Sequence, residues 1–263
     1  MDFNLKDKRV LVAGASAGLG FATAQTLLAE RAEVVINSRS DDNLQSAAAK
    51  LEQATGRRPS TVCGDLSDSG ERNRVIDAVR ATIGGVDILV SNTGGPPPGA
   101  FLDHSQEAFD NAAKLVLDSA VGLTRAFLPG MIKQKWGRLI YITSVGVLQP
   151  VDTLILSNTY RAAVTGFCKT VSNNYAQYGI TANCVCPGYT ATERLTELAE
   201  KLSAQSGTSA QEVLAGFAEI TPARRLGQPD ELAALITFLA SDRAAYISGA
   251  SIPVDGGLHK GLL

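Results

Sequence analysis

The chain has 263 residues, 45% of them hydrophobic and 19% charged, with a net charge of −2. This composition suits one large α/β domain over residues 1–263 with a full buried core, and requires no second domain. The charge balance and the lack of a Lys/Arg-rich run argue against nucleic-acid and anionic-membrane partners, which need clustered positive charge, and leave a small soluble ligand as the expected one.

The opening residues, Met1 to Lys8, intersperse charges without an apolar leader. No later run approaches the roughly 18 apolar residues of a membrane span, so a cytoplasmic location without membrane association is expected. From there, short β-branched runs alternate with longer amphipathic ones, the pattern of βα units around a parallel sheet. Strands are predicted at Arg9–Ala13, Glu33–Asn37, Ser60–Cys63, Asp87–Ser91, Arg138–Thr143, Thr181–Cys186 and Ser251–Val254. Helices are predicted between them at about 18–30, 41–54, 69–83, 105–134, 157–177 and 229–241. The predicted fold is therefore α/β, a Rossmann-type doubly wound seven-stranded parallel sheet with helices on both faces.

Two stretches break the rhythm. Gly94-Gly95-Pro96-Pro97-Pro98-Gly99 reads as a loop at a strand's carboxyl end, where open α/β sheets bind ligands. The stretch from Tyr189 to about Leu226 is too long for an ordinary connection, and Leu195, Leu198 and Leu202 recur in it at helical spacing, so a short helical lid at about 189–226 is expected. Cys63, Cys168, Cys184 and Cys186 have neither redox nor zinc spacing; buried free thiols and no metal are expected.

The first strand runs into Gly14-Ala15-Ser16-Ala17-Gly18-Leu19-Gly20 and then a helix. Glycines there let the backbone approach a pyrophosphate, while the helix N-terminus supplies N–H groups and a positive dipole end. The second strand ends in Asn37-Ser38-Arg39. An arginine there suits a 2′-phosphate, so NADP(H) is the preferred cofactor, although Asn37 and Ser38 do not exclude NAD(H). The glycine spacing, Cys63-Gly64-Asp65-Leu66, Ser91-Asn92-Thr93-Gly94, Gly137 to Ser144, Pro187-Gly188-Tyr189-Thr190-Ala191-Thr192, Gly249 and Val254-Asp255-Gly256-Gly257 follow in an order that resembles the short-chain dehydrogenase/reductase family from end to end. The layout is similar to that of 3-oxoacyl-carrier-protein reductases.

That resemblance implies a cofactor site at Gly14, Ser16, Ala17, Gly18, Leu19, Gly20, Ser38, Arg39, Asp65, Leu66, Asn92, Gly94, Arg161, Pro187, Gly188, Thr190 and Thr192. Asp65 would read the adenine amino group, and Thr190 and Thr192 the nicotinamide amide; Asn92 serves equally well as a strand-stabilising side chain. The family's catalytic serine corresponds to Ser144. Its tyrosine and lysine positions fall on Ser157 and Arg161, its relay asparagine on Val116, and no Tyr-x-x-x-Lys occurs anywhere in the chain.

A serine hydroxyl is too weak an acid to replace a tuned phenol, and arginine does not shuttle protons at neutral pH. Tyr160 lies about 60° round the helix from Ser157 and either reaches the pocket or packs in the helix surface. His104 is expected to be exposed, Asp103 and Ser105 to cap a helix, and Tyr189 to face substrate or pack. The expected activity is NADP(H)-dependent interconversion of a carbonyl and an alcohol with a non-standard proton donor. An apolar lid (Leu195, Leu198, Leu202, Val213, Leu214, Phe217) would admit a hydrophobic substrate. The alternatives are a catalytically silent NADP-binding sensor or scaffold, and lyase or isomerase chemistry on the same scaffold. The helices near 105–134 and 157–177, with Ala112, Ala113, Ala120, Ala162 and Ala163, are expected to pair subunits in a homotetramer or homodimer.

Overall fold

The computed structural model describes residues 2–262, the side chains at positions 205 and 206 excepted. Seven parallel strands form one sheet: β1 (Arg9–Val12), β2 (Glu33–Ser38), β3 (Ser60–Cys63), β4 (Ile88–Ser91), β5 (Gly137–Ile142), β6 (Ile180–Pro187) and β7 (Ser251–Val254). Their order is β3-β2-β1-β4-β5-β6-β7. Winding reverses between β1 and β4, which opens a crevice at the carboxyl ends of those two strands. The glycine turn follows β1 and the Gly-Pro loop follows β4, so both candidate ligand loops meet there.

Alternation along each strand supplies two cores. On one face Leu11, Leu89, Leu139 and Tyr141 pack under α3 (Ser69–Ile83), the paired helices α4 (Gln106–Ala113) and α5 (Ser119–Gln134), and α6 (Ile155–Tyr175). On the other, Val10, Val12, Ile88, Ile140 and Val185 pack under α1 (Gly18–Ala29), α2 (Asp41–Thr55) and α9 (Pro229–Ala240). The β6–α9 segment holds α7 (Glu193–Ser206) and α8 (Ala210–Ile220).

Several expectations are corrected. The 105–134 helix is interrupted by a π-helical turn at Lys114–Asp118, with Val116 buried in it. Joined through that turn, Gln106–Gln134 reaches the length and mean hydropathy (1.4) of a membrane span. Its buried residues, Leu123, Phe127, Leu128 and Met131 among them, pack on the sheet. The 189–226 stretch holds two helices, because Gly207 at φ 73° ends α7 and a Ser209–Glu212 capping box starts α8. Ala112 and Ala120 are buried within this chain and cannot serve a subunit contact, whereas Ala162 and Ala163 are exposed. Cys63 is exposed, unlike the other three thiols.

Candidate active site

The crevice holds a cleft of about 470 Å³ whose walls include Gly14, Ala17, Gly18, Leu19, Arg39, Asn92, Gly94, Ser144, Ser157, Arg161, Pro187 and Thr192. At one end the chain turns sharply out of β1, with Gly14 at φ 59°. Gly20 admits no side chain, since a Cβ would collide with Gly14 O and stand 2.9 Å from Ala15 Cα. Ala17 at the N-cap of α1 supplies no side-chain cap, and the first turn has no acidic residue. Backbone N–H groups and the dipole end are therefore available to an anion, and the cradle fits a dinucleotide diphosphate. Arg39 borders the same cleft, exposed and without an ion-pair partner among the described residues.

Ser16, Gly20, Ser38, Asp65, Leu66, Gly188 and Thr190, also expected at the cofactor, are not among the residues that line this cleft. Asn37 is buried and donates to Val62 O (2.9 Å) and Gly64 O (3.2 Å), tying β2 to β3. Asp65 Oδ1 accepts from the Ser67 backbone N–H (2.8 Å) and hydroxyl (2.7 Å). Asp65 instead borders a shallow surface pocket with Asp68, Glu71 and Arg74. Leu66 is buried in a core. Asn92 both borders the cleft and donates to Gly14 O at 3.0 Å, locking the β4 end to the glycine turn. Gly188 N–H donates to Val254 O at 3.0 Å, and Thr190 is buried beside the Gly227 bridge. Thr192 caps α7, its hydroxyl accepting from the Leu195 N–H at 3.3 Å.

At the other end stand Ser144, Ser157 and Arg161. Ser144 follows β5, and its Oγ accepts from the Gly146 N–H at 3.0 Å. Ser157 Oγ accepts from Arg161 Nε–H at 3.2 Å, one helical turn along α6, while Arg161 Nη1 donates to Ile142 O at 2.8 Å. Each hydroxyl thus has a lone pair occupied from behind, leaving its own hydrogen to donate into the cleft. Burial first, then the charge of Arg194, lowers the Arg161 guanidinium to about 10, with a smaller opposing effect from Cys186. Arg161 also borders a water-sized void of about 10 Å³ lined by Ser91, Thr93, Thr143 and Val116.

Tyr160 lines neither space; it packs half-buried against the core cluster that contains Val164 and Cys168. His104 is half-buried rather than exposed, with Nε2 buried and unpartnered against the Gly99 turn. Ser105 caps α4, and Asp103 accepts from the Ala100 N–H at 2.8 Å. Tyr189 stacks on Phe217 with ring centroids 4.2 Å apart. Sequence reasoning missed Arg194, which reaches the cleft from the second residue of α7. A cation two residues after a predicted cofactor threonine was the available signal.

A glycine-rich turn at the switch point of a doubly wound sheet, facing two hydroxyls and a buried cation, defines the class of dinucleotide-binding oxidoreductases. A protein-family profile described as enoyl-(acyl carrier protein) reductase matches residues 14–259. Oxidoreductase UcpA of Salmonella typhimurium is 35% identical over 257 residues, covering 96% of this chain and 95% of that protein. The 3-oxoacyl-(acyl-carrier-protein) reductase FabG of Escherichia coli is 32% identical over 256 residues, covering 97% and 99%. L-sorbose reductase from Gluconobacter frateurii, solved with NADPH and L-sorbose, superposes at a TM-score of 0.94 with 32% identity over 100% of both chains. The chain belongs to the short-chain dehydrogenase/reductase family.

Proposed function

We propose that the protein is an NADP(H)-dependent oxidoreductase that interconverts a carbonyl and an alcohol, with the substrate oxygen held by two serine hydroxyls and protonated from water. The observation that carries this reading is the paired arrangement of Ser144 and Ser157, each backed by an N–H donor and each bordering the cleft. When bound, NADPH supplies the hydride that adds to the carbonyl carbon, and the oxygen takes one proton from solvent. Arg39 would meet the 2′-phosphate, and the cofactor preference is supported by the L-sorbose reductase neighbour, itself solved with NADPH.

The protein's own groups divide the remaining work. Ser144 and Ser157 donate toward the oxygen on which negative charge develops, as preorganised donors that need no reorientation. Arg161 stands behind Ser157 and raises the potential at that oxygen from a site of low dielectric. Because its own proton is held too tightly for net release, the Ser157 hydroxyl serves as a hydrogen-bond donor to the oxygen, which takes its proton from water in the cleft. Tyr160 takes no part, consistent with its packing against the core. The α7–α8 excursion serves as the substrate lid. Subunits associate through α5 and α6, the latter exposing Ala162 and Ala163; the molar mass in solution at micromolar concentration, measured by light scattering, tests this, and a monomer mass refutes it.

The central test is NADPH oxidation over a carbonyl panel by wild type, Ser144→Ala, Ser157→Ala and Tyr160→Phe. Each serine variant is expected to lose about 10²-fold in kcat. Tyr160→Phe is expected to stay within about twofold of wild type, since its hydroxyl lies outside the cleft. A loss in Tyr160→Phe equal to that in the serine variants refutes the two-serine reading. NADPH binding without hydride transfer to any carbonyl favours the silent sensor instead.

A further inference from the structure

We propose that the carbonyl substrate is an oxo acid whose carboxylate is received between Arg161 and Arg194; this rests on the carbonyl-reducing reading above. The Arg161 and Arg194 side chains both border the cleft and lie close enough for each charge to be felt by the other. Arg161 is buried, at 8% exposure, and makes no ion pair among the described residues. Its strongest charged neighbour is Arg194, a like charge. A buried cation with a second cation bordering the same cleft is a poor arrangement for the protein alone and a prepared one for an anion beside them.

Arg194 is fixed on one side and exchangeable on the other. Its Nη2 donates to Pro96 O at 2.9 Å, and the guanidinium lies so close over Gly95 that a Cβ there would stand 3.1 Å from Nε and Nη2. This pins the side chain to the loop after β4. Among the described residues its Nη1 meets only Glu197, at 3.4 Å, whose side chain is 59% exposed. So long an ion pair to a solvated carboxylate is weak and readily replaced by a buried one.

The other charges on the cleft wall narrow the ligand. Arg39 stands at the opposite end, beyond the glycine turn, where the 2′-phosphate is assigned, and the diphosphate belongs to the α1 N-terminus. Glu193 and Glu197 are exposed at the rim. With two cations partly offset by two rim carboxylates, the pocket suits one negative charge better than a dianionic phosphate. Planar guanidinium forks match a carboxylate in geometry as well. Arg161 bonds directly to Ser157, which holds the carbonyl oxygen, so the carbonyl and the carboxylate must be near neighbours, as in a 2- or 3-oxo acid.

Two measurements test this on the intact protein. The first compares kcat/KM for short 2- and 3-oxo acids with their methyl esters, in wild type and Arg194→Gln. Wild type is expected to prefer the acids by about 30-fold or more, and the variant to lose about tenfold of that preference, chiefly through KM. The second titrates butanoate and butanamide into NADP⁺-loaded protein by calorimetry. Butanoate binding is expected to exceed butanamide binding and to weaken about tenfold in the variant. Equal handling of acids and esters, or a variant that weakens NADPH binding and both substrate classes alike, overturns the oxo-acid assignment and gives Arg194 to the cofactor. If no carbonyl is reduced yet butanoate still binds through Arg194, the carbonyl-reducing reading falls while the anion site stands.

Discussion

Replacing Arg161 by methionine should separate function from stability, because this side chain is expensive to bury. Burial lowers its guanidinium from the ordinary arginine value to about 10, which places the cost of holding the charge in the folded chain at about 3 kcal/mol. Because the folded form binds that proton less tightly than the unfolded form does, the whole cost is present at neutral pH. It is relieved only as pH rises through about 10 toward the ordinary guanidinium value. Against it stand two hydrogen bonds, to Ile142 O at 2.8 Å and Ser157 Oγ at 3.2 Å. Charge-assisted bonds contribute about 1.5–3 kcal/mol each, and the longer one belongs at the lower end, so together they return about 3–4 kcal/mol. Methionine restores much of the volume and removes both the charge and the bonds. The cofactor-free variant should therefore unfold within about 1 kcal/mol of wild type, a shift of about 2–4 °C, as buried charges replaced by apolar groups often do. Turnover should fall by about 10²-fold or more. Urea and thermal denaturation of the free and NADPH-loaded proteins read both effects. A loss above about 3 kcal/mol in the free protein would mean that Arg161 is chiefly a structural clamp, and would refute the reasoning.

Gly20→Ala should cost upward of about 2 kcal/mol in denaturation and strongly weaken NADPH binding in a fluorescence titration, because the added methyl meets the Gly14 and Ala15 backbone rather than a flexible side chain. Arg39→Ala should weaken NADPH binding about 10- to 100-fold and NADH binding by much less; an equal loss for both would remove Arg39 from the 2′-phosphate. Asp87 supplies a pH test: burial pushes its carboxyl up, but hydrogen bonds from the Arg9 side chain (3.0 Å at Nε), the Arg9 backbone (2.9 Å) and Gln134 (2.8 Å) outweigh this and leave it below 3.8. Its stabilisation is complete above the unfolded value and is lost as pH falls through the lower folded value. Asp87→Asn should accordingly be less stable than wild type at pH 7, with the gap closing in acid denaturation curves as pH falls below the ordinary carboxylate value.

Much of the fold could be read in the sequence because the signals are local. β-branched alternation, a Gly-x-x-x-Gly-x-Gly turn and the Gly-Pro loop act within a few residues of themselves, and the strands they imply lie where expected to within one or two residues. The glycine turn, Arg39, Ser144, Ser157 and Arg161 all border one cleft for the same reason: strand ends in a doubly wound sheet converge by topology. What the sequence leaves open are questions of which way a side chain turns and what a distant segment covers. Tyr160 and Arg161 are adjacent in the chain, yet about 100° of helical rotation sends one to the core and the other to the cleft. Asp65 sits at its strand end as predicted, but Ser67 claims one carboxylate oxygen locally. Arg194 enters the site only through its bond to Pro96, 98 residues away in sequence, where no local pattern could register it. The sequence by itself determined the sheet, its switch point and the cradle. Only the packing of α6 and α7 over that crevice decided which cations, and which hydroxyls, share the chemistry.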